Sequence, residues 1–441
     1  MKNNLCEKIF ISSFDKSYSS KVNFISPEKY SDLEKPIENF SSLITMGSNL
    51  SYSPVSFYQK SISISLIKFN KILNFNNKKK EVTIEAGARI FDLLSYLLPK
   101  GLWIPQLPGH PYITIGGAVA ANVHGKSSGV YGTIKNSIKE LLLFHKKHGW
   151  ITLSNSKNKD LFDLTIGGLG LTGTIVSVTL KLQNFNYLNF LTERIEVKST
   201  QETIAYLKKH KHNKNLLIYS WNDGSNLKNF GRGYVFINRP IDKNDRKKIK
   251  LKFNNNFKIS LPLWNKSSSK IFNNVFYNFQ KYKKKIYKES FEETIFPLAI
   301  NDIYYYLYGN KGFIESQLIV PSSVIENFFL EFKKFFSEYK PEIILFSFKN
   351  ISGKQKYIRF EGEGFCVTFN FTRNQKNLNF LNKIDNLCIK YGIIPSIIKD
   401  SRISKKVFEK CFSQANQFRE DLIKFDKNRI YQSETSKRLG I

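Results

Sequence analysis

Apolar residues recur along most of this chain in two short-range rhythms. Residues 63–67 and 81–85 alternate apolar with polar in the manner of half-buried strands, and 43–45 form an apolar run that stops at a glycine-containing loop. Positions 90, 91, 93, 94, 97 and 98 are apolar, a spacing that predicts a helix over 90–98. Further on, the pattern predicts strands at 216–220 and 233–238, an amphipathic helix over 324–339 and a sheet-like stretch over 340–372. Residues 1–40 give no clear period. Short strands interleaved with brief helices predict α+β architecture.

Glycines divide the chain. Between Pro105 and Gly173 they cluster as Gly116-Gly117, Gly125, Gly129, Gly132, Gly167-Gly168, Gly170 and Gly173, which implies a backbone that approaches something closely. After Leu182 they thin out, and aromatics and lysines take over. We therefore expect a first domain over 1–183, a second domain over 184–395, and a polar, arginine-containing segment over 396–441 that packs back on the first domain.

With 441 residues, 41% of them hydrophobic and 15% aromatic, the chain has ample material for more than one core, which excludes wholesale disorder. Four cysteines lie far apart with no CxxC, so neither a zinc site nor a disulfide framework is expected. The N-terminus lacks the apolar core of a signal peptide, and no apolar run is long enough to span a bilayer, so cytoplasmic placement is expected, with a peripheral position on the inner membrane left open. A formal charge of +32 would suit polyanions such as nucleic acid or anionic headgroups. The lysines are scattered, however, and arrive with many Asn, Ile and Phe, the mixture that A/T-rich codon usage produces. No nucleic-acid partner is expected.

Two segments have the small residues that a phosphate-cradling backbone needs: 46–52 (MGSNLSY) and 108–126 (PGHPYITIGGAVAANVHGK). Neither is a P-loop, which ends in GK[ST], and neither is the GxGxxG of a nicotinamide-binding fold. The run 116–122 is expected to start a helix whose N–H groups face a pyrophosphate. Together these segments favour a dinucleotide held on another kind of fold.

The run PGHPYITIGGAVAANVHGKSSGVYGTIKNSI, the later LFDLTIGGLGLTGTIVSVTLKL and the loop MGSNLSYS resemble the PCMH-type FAD-binding domain of the vanillyl-alcohol oxidase/p-cresol methylhydroxylase superfamily. The strand GFIESQLIVP, the segments GFCV and KDSR, and the ending QSETSKRL resemble more narrowly its decaprenylphosphoryl-β-D-ribose 2′-oxidase subgroup. The resemblance implies a two-subdomain FAD-binding domain plus an α+β cap with an antiparallel sheet. In the first loop, Asn49, Leu50, Ser53 and Pro54 depart from the superfamily's GxGRSYGD, while Gly47, Ser51 and Tyr52 keep it. No histidine precedes His110, so FAD is expected to be non-covalent.

The same resemblance places FAD against Gly47, Ser48, Asn49, Ser51, Tyr52, Pro108, Gly109, Thr114, Gly116, Gly117, Asn122, Gly125, Gly129, Gly168, Gly173 and Ile175. It implies Lys399 of KDSR and His124 of HGK as catalytic groups: the ammonium to stabilise a reduced flavin or orient substrate, the imidazole to hold an anionic group or shuttle a proton. Substrate contacts are expected at Glu315, Gln317, Lys349, Cys366 and Tyr308. Glu315 stands where the subgroup has a glutamine, Gly364 where it usually has Asn, and Ser396 where Tyr is common. No metal site is expected. The implied reaction is oxidation of a sugar hydroxyl to a ketone by hydride transfer to flavin N5, on a polyprenyl-phosphate-linked pentose, with a short-chain reductase partner to complete an epimerisation. A soluble aldonolactone or alditol is the alternative substrate class, and a binding module that has lost its flavin is the third reading.

Overall fold

The computed structural model describes residues 6–35, 42–241, 260–299 and 303–441. Three sheets carry the fold. Strands Glu7–Ser12, Ser19–Ile25, Ser61–Ser65 and Ser42–Met46 lie side by side in that order, the first two antiparallel and the others parallel. The first hairpin went unread in the sequence because no glycine marks its turn: Lys16 takes φ +59, and the Asp15 carboxylate accepts from the Ser17 N–H at 2.9 Å. A second, antiparallel sheet orders Ile72–Asn76, Glu81–Glu85, Thr174–Lys181, Ile138–His145 and Gly149–Ser154. The helix expected over 90–98 runs Ile90–Leu97, burying Ile90, Leu93, Leu94 and Leu97; Pro99, which has no N–H to give, tightens the next turn, and Gly101 ends it at φ +71.

The third sheet is larger. Its eight antiparallel strands run in the order Ile286–Ser290, Asn189–Val197, Gly233–Ile241, Leu217–Asn222, Ile343–Ile351, Gly364–Thr372, Phe313–Val320 and Ile394–Pro395. On one face, helices Ile325–Tyr339 and Gln375–Tyr391 bury Phe328, Phe329, Phe332, Phe336 and Phe380 against Phe346 and Phe369, whose rings stack with centroids 4.6 Å apart. The other face carries the functional residues. After the last strand the chain returns to the first sheet: the Leu43 N–H donates to the Ile430 carbonyl at 2.7 Å, the Gln432 N–H donates to the Leu43 carbonyl at 2.8 Å, and the fully buried Tyr431 joins the core of the glycine-rich half.

Candidate flavin and substrate site

A cavity of about 580 Å³ opens between the glycine-rich half and the uncovered face of the eight-stranded sheet. Its first wall is the loop after Ser42–Met46. Asn49, at φ +51, anchors that loop with its side chain, which donates to the Ser12 carbonyl at 2.9 Å and accepts from Ser56 Oγ at 3.1 Å. Among the described residues, the backbone N–H groups of Gly47, Ser48, Asn49, Leu50 and Ser51 donate to no protein acceptor, and Ser48 Oγ is buried without a partner. Such a row of unspent amides on a cavity wall is a ready anion cradle.

The second wall runs from Leu107 through the helix Ile115–Ala120 to Lys126. Here the structure corrects the sequence reading. The helix N-terminus has no amide to offer a pyrophosphate: Ile115 and Gly116 donate to the carbonyls of Ala88 and Ala86, both at 2.8 Å, and Gly117 donates to its cap, Thr114 Oγ1, at 3.3 Å. Gly116 and Gly125 serve close packing instead. A Cβ would lie 2.8 Å from Ala86 Cβ at the first and 2.2 Å from the Leu107 carbonyl oxygen at the second. A Cβ at Gly109, by contrast, meets nothing within 4 Å.

Opposite, strand alternation aims side chains from five neighbouring strands at the cavity: Tyr219 and Trp221, Phe236, Ser347 and Lys349, Thr368, and Glu315 with Gln317. Asn370 Nδ2 donates to Glu315 Oε2 at 3.0 Å, and Gln317 Nε2 donates to Thr368 Oγ1 at 3.1 Å, which leaves Gln317 Oε1 buried and unpartnered. The turn 396–400 closes this side. Ser396 N–H donates to the Gln317 carbonyl at 2.8 Å, while Ser53 N–H donates to the Ile398 carbonyl at 2.9 Å. That double tie carries Lys399 to the first loop, with its Nζ 3.6 Å from the Tyr52 ring centre and 3.5 Å from Glu315 Oε1.

His124, Lys126, Lys349 and Lys399 all line the cavity, and Glu315 is the sole carboxylate among the described lining residues. Burial first, and then the charges of Lys349 and Lys399, hold the His124 imidazole well below its ordinary pKa, so it is neutral at pH 7. Burial likewise lowers Lys349, and brings Lys126 down to about 7 although Glu289 opposes the shift. Lys126 Nζ lies 4.0 Å from the Tyr219 ring centre and donates to the Thr294 carbonyl.

Of the residues singled out from sequence, Gly47, Ser48, Asn49, Ser51, Tyr52, Pro108, Gly109, Thr114, Gly116, Gly117, Gly125, Gly173, Ile175, His124, Glu315, Gln317, Lys349 and Lys399 line this cavity. Five do not. Asn122, at φ +47, turns its side chain to the Lys135 N–H; Gly129 packs on Asn350; Gly168 packs on the Leu164 carbonyl. Tyr308 lies behind Tyr52, its hydroxyl 2.8 Å from that of Tyr304. Cys366 sits behind His124, with Sγ 3.8 Å from Nε2, and burial raises its pKa and keeps it a thiol. Sequence reasoning passed over Lys126, Tyr219, Trp221, Tyr305 and Phe276. The signals were present, since Lys126 follows His124 by two residues and alternation along 217–222 puts Tyr219 and Trp221 on one face.

Comparison with known proteins fits this geometry. A family described as "FAD binding domain" matches residues 37–154. The chain is 25% identical to decaprenylphosphoryl-beta-D-ribose oxidase of Mycolicibacterium smegmatis, over 90% of this chain and 89% of the relative. It is 30% identical to L-galactono-1,4-lactone dehydrogenase 2 of Oryza sativa subsp. japonica and 28% identical to D-arabinono-1,4-lactone oxidase of Kluyveromyces lactis, but those matches cover 39% and 38% of this chain and about a third of each relative. The chain carries an FAD-binding domain of the PCMH type and is an FAD-dependent oxidoreductase. The unspent amides of 47–51, the orphaned Ser48 Oγ and the open approach at Gly109 are the features here that suit its pyrophosphate.

Proposed function

We propose that this chain oxidises a secondary hydroxyl of a sugar borne on a polyprenyl phosphate. The observation that carries the reading is the convergence of Lys126, Lys349 and Lys399 on a cavity whose described lining holds one carboxylate and whose far wall is the apolar set Tyr219, Trp221, Phe236, Phe276 and Leu345. Cations suit a phosphodiester, and the aromatic wall suits the first prenyl units beside it. A relative that matches over 90% of this chain is named for a lipid-linked ribose, which supports the same reading; the lactone enzymes match over well under half of it.

The chemistry that bound FAD would supply here is that of a hydride acceptor for the carbinol carbon. The protein's own groups do the rest. Glu315 and the neutral His124 are placed to take the hydroxyl proton, and the Lys399 ammonium, held by the 396–400 turn, supplies fixed positive charge without reorganisation. Lys126 and Lys349 receive the substrate's anion. Because the product is a ketone, its onward use calls for a reductase of the short-chain class, and because the substrate is lipid-borne, the protein works at a membrane surface. No described helix is long and apolar enough to cross a membrane. FAD is held without a covalent bond, so acid precipitation releases all of it; a pellet that remains yellow overturns this part.

The test is anaerobic reduction of the holoenzyme's visible flavin band. A polyprenylphosphoryl pentose is expected to bleach it quickly and aldonolactones or alditols slowly. Faster bleaching by a lactone would assign the chain to the soluble-substrate class.

A further inference from the structure

The helix Lys266–Tyr282 is inverted relative to an ordinary surface helix, which turns its apolar stripe to the core. Its buried residues are Ser269, Asn273, Tyr277 and Gln280. They are held by polar contacts: Asn273 Nδ2 donates to Asp223 Oδ1 at 3.2 Å, Gln280 Oε1 accepts from Arg194 Nη1 at 2.8 Å, and the Tyr277 hydroxyl donates to Glu196. The outward face holds Ile271, Phe272, Val275, Phe279 and Tyr282, between 45% and 90% exposed. At the helical pitch these five fall within about a quarter-turn to a third of a turn, one continuous stripe rather than scattered side chains. Leu261, Leu263 and Ile286, also exposed, lie at its two ends. Single exposed apolar residues need no explanation, whereas a contiguous stripe marks an interaction surface.

Charge selects the occupant. Residues 260–288 contain seven lysines, at 266, 270, 281, 283, 284, 285 and 288, and no aspartate or glutamate. All seven are exposed. Within 260–288 the charged residues beside this apolar stripe are all lysines, Lys285 also pairing with Glu193 at 3.7 Å, and that pattern matches the acyl boundary and phosphates of an anionic leaflet. The stripe is also continuous with the cavity: Phe272 stacks on Phe276 at 6.1 Å, Phe276 packs on Trp221 at 4.6 Å, and Phe276 and Trp221 line the cavity wall.

We propose that the outward face of Lys266–Tyr282 lies in the interface of an anionic lipid bilayer, with Ile271, Val275 and Phe279 below the headgroups and Lys281, Lys283, Lys284 and Lys285 among the phosphates. What the docking serves, passage of a lipid-borne sugar along Phe272 and Phe276 into the cavity, rests on the substrate reading above. The docking itself does not.

The experiment uses the full-length holoenzyme in a Cys6→Ser background, Cys6 being the exposed thiol and Cys366, Cys388 and Cys411 buried, with Val275→Cys carrying an environment-sensitive fluorophore. Vesicles of phosphatidylglycerol with phosphatidylcholine are expected to blue-shift the probe and to sediment the protein; phosphatidylcholine alone is not. High salt weakens the binding, and Lys284→Glu with Lys285→Glu lowers it roughly fivefold or more per lysine. Ile271→Glu with Phe279→Glu abolishes sedimentation while flavin content and melting temperature hold. An unshifted probe with phosphatidylglycerol vesicles, or sedimentation that survives Ile271→Glu with Phe279→Glu, overturns the proposal. So does a blue shift without vesicles that grows with protein concentration, which assigns the face to a second copy of the chain. Turnover of a short-chain, water-soluble phosphoryl pentose separates the two readings: its failure in the wild type sinks the substrate assignment and leaves the vesicle result standing.

Discussion

The Lys399 ammonium rests 3.6 Å from the centre of the Tyr52 ring. These residues are far apart in the chain, and hydrogen bonds between their neighbours tie them together: Ser53 N–H and Oγ donate to the carbonyls of Ile398 and Ile397, at 2.9 and 2.8 Å. The charge is therefore preorganised, opposite Glu315 and in view of His124. A charge that needs no reorganisation during reaction lowers the barrier more than the same charge in water.

Lys399→Ala is expected to retain FAD and to lose on the order of a hundred- to a thousandfold in the rate of flavin reduction by substrate. Lys399→Arg recovers only part, because the planar guanidinium does not place its charge where the ammonium lies. Stopped-flow reduction checks both. Near-normal reduction in Lys399→Ala alongside an inactive His124→Ala would transfer the role to the histidine.

Lys126 makes the apoprotein's stability depend on pH. Its pKa falls from 10.5 to about 7 on folding, burial being the main cause, so between those values the unfolded chain holds more protons and stability from this group rises with pH. Below about 7 the ammonium is charged in both states and the burial penalty is complete; above 10.5 it is neutral in both and the penalty is gone. Lys126→Met is expected to raise the melting temperature at pH 6 and to have little effect near pH 10. The reverse order, in thermal scans of apoprotein across that range, would place the Tyr219 and Thr294 contacts above burial.

Two glycines on the same wall should behave differently. Gly125→Ala forces a Cβ to within 2.2 Å of the Leu107 carbonyl, and that backbone has to move, so the apoprotein is destabilised. Gly109→Ala meets nothing. Its melting temperature as apoprotein stays at the wild-type value, while FAD affinity falls if the methyl enters the cofactor's space. Calorimetry of the apoproteins and FAD titration measure the two effects separately.

Arg402 fixes the turn that presents Lys399. It pairs with both oxygens of Asp385, at 2.7 and 2.8 Å, and with Asp400 at 2.9 Å, and burial has raised Asp400 to about 6. Arg402→Ala strands two buried carboxylates, at an expected cost of about 3–5 kcal/mol. Protonating Asp400, whose pKa rises further once the guanidinium that lowers it is gone, relieves part of that cost, so the deficit of the variant, measured by denaturant unfolding, is expected to shrink as pH falls toward 6. A deficit that does not change with pH would locate the loss in packing.

Much of this protein was legible in its residues because local rules governed them. The strand at 81–85, the helices starting near residues 90 and 325 and the glycine-rich frame followed from spacing and from the exclusion of bulk, and motif likeness identified the flavin class and brought Lys399, His124 and Gln317 forward. Tertiary structure decided the rest. The amides of the helix Ile115–Ala120 are consumed by Ala86 and Ala88, which lie on a connection some thirty positions earlier, so the anion cradle falls to the 47–51 loop instead. Lys126, Tyr219 and Trp221 join the site only because two halves of the chain close over one cavity. The helix at 266–282 is amphipathic by its sequence alone, but the apolar side faces outward because Asp223, Arg194 and Glu196 hold its polar side. Periodicity specifies that a helix has two faces; hydrogen-bond partners brought from other strands determine which of them meets water.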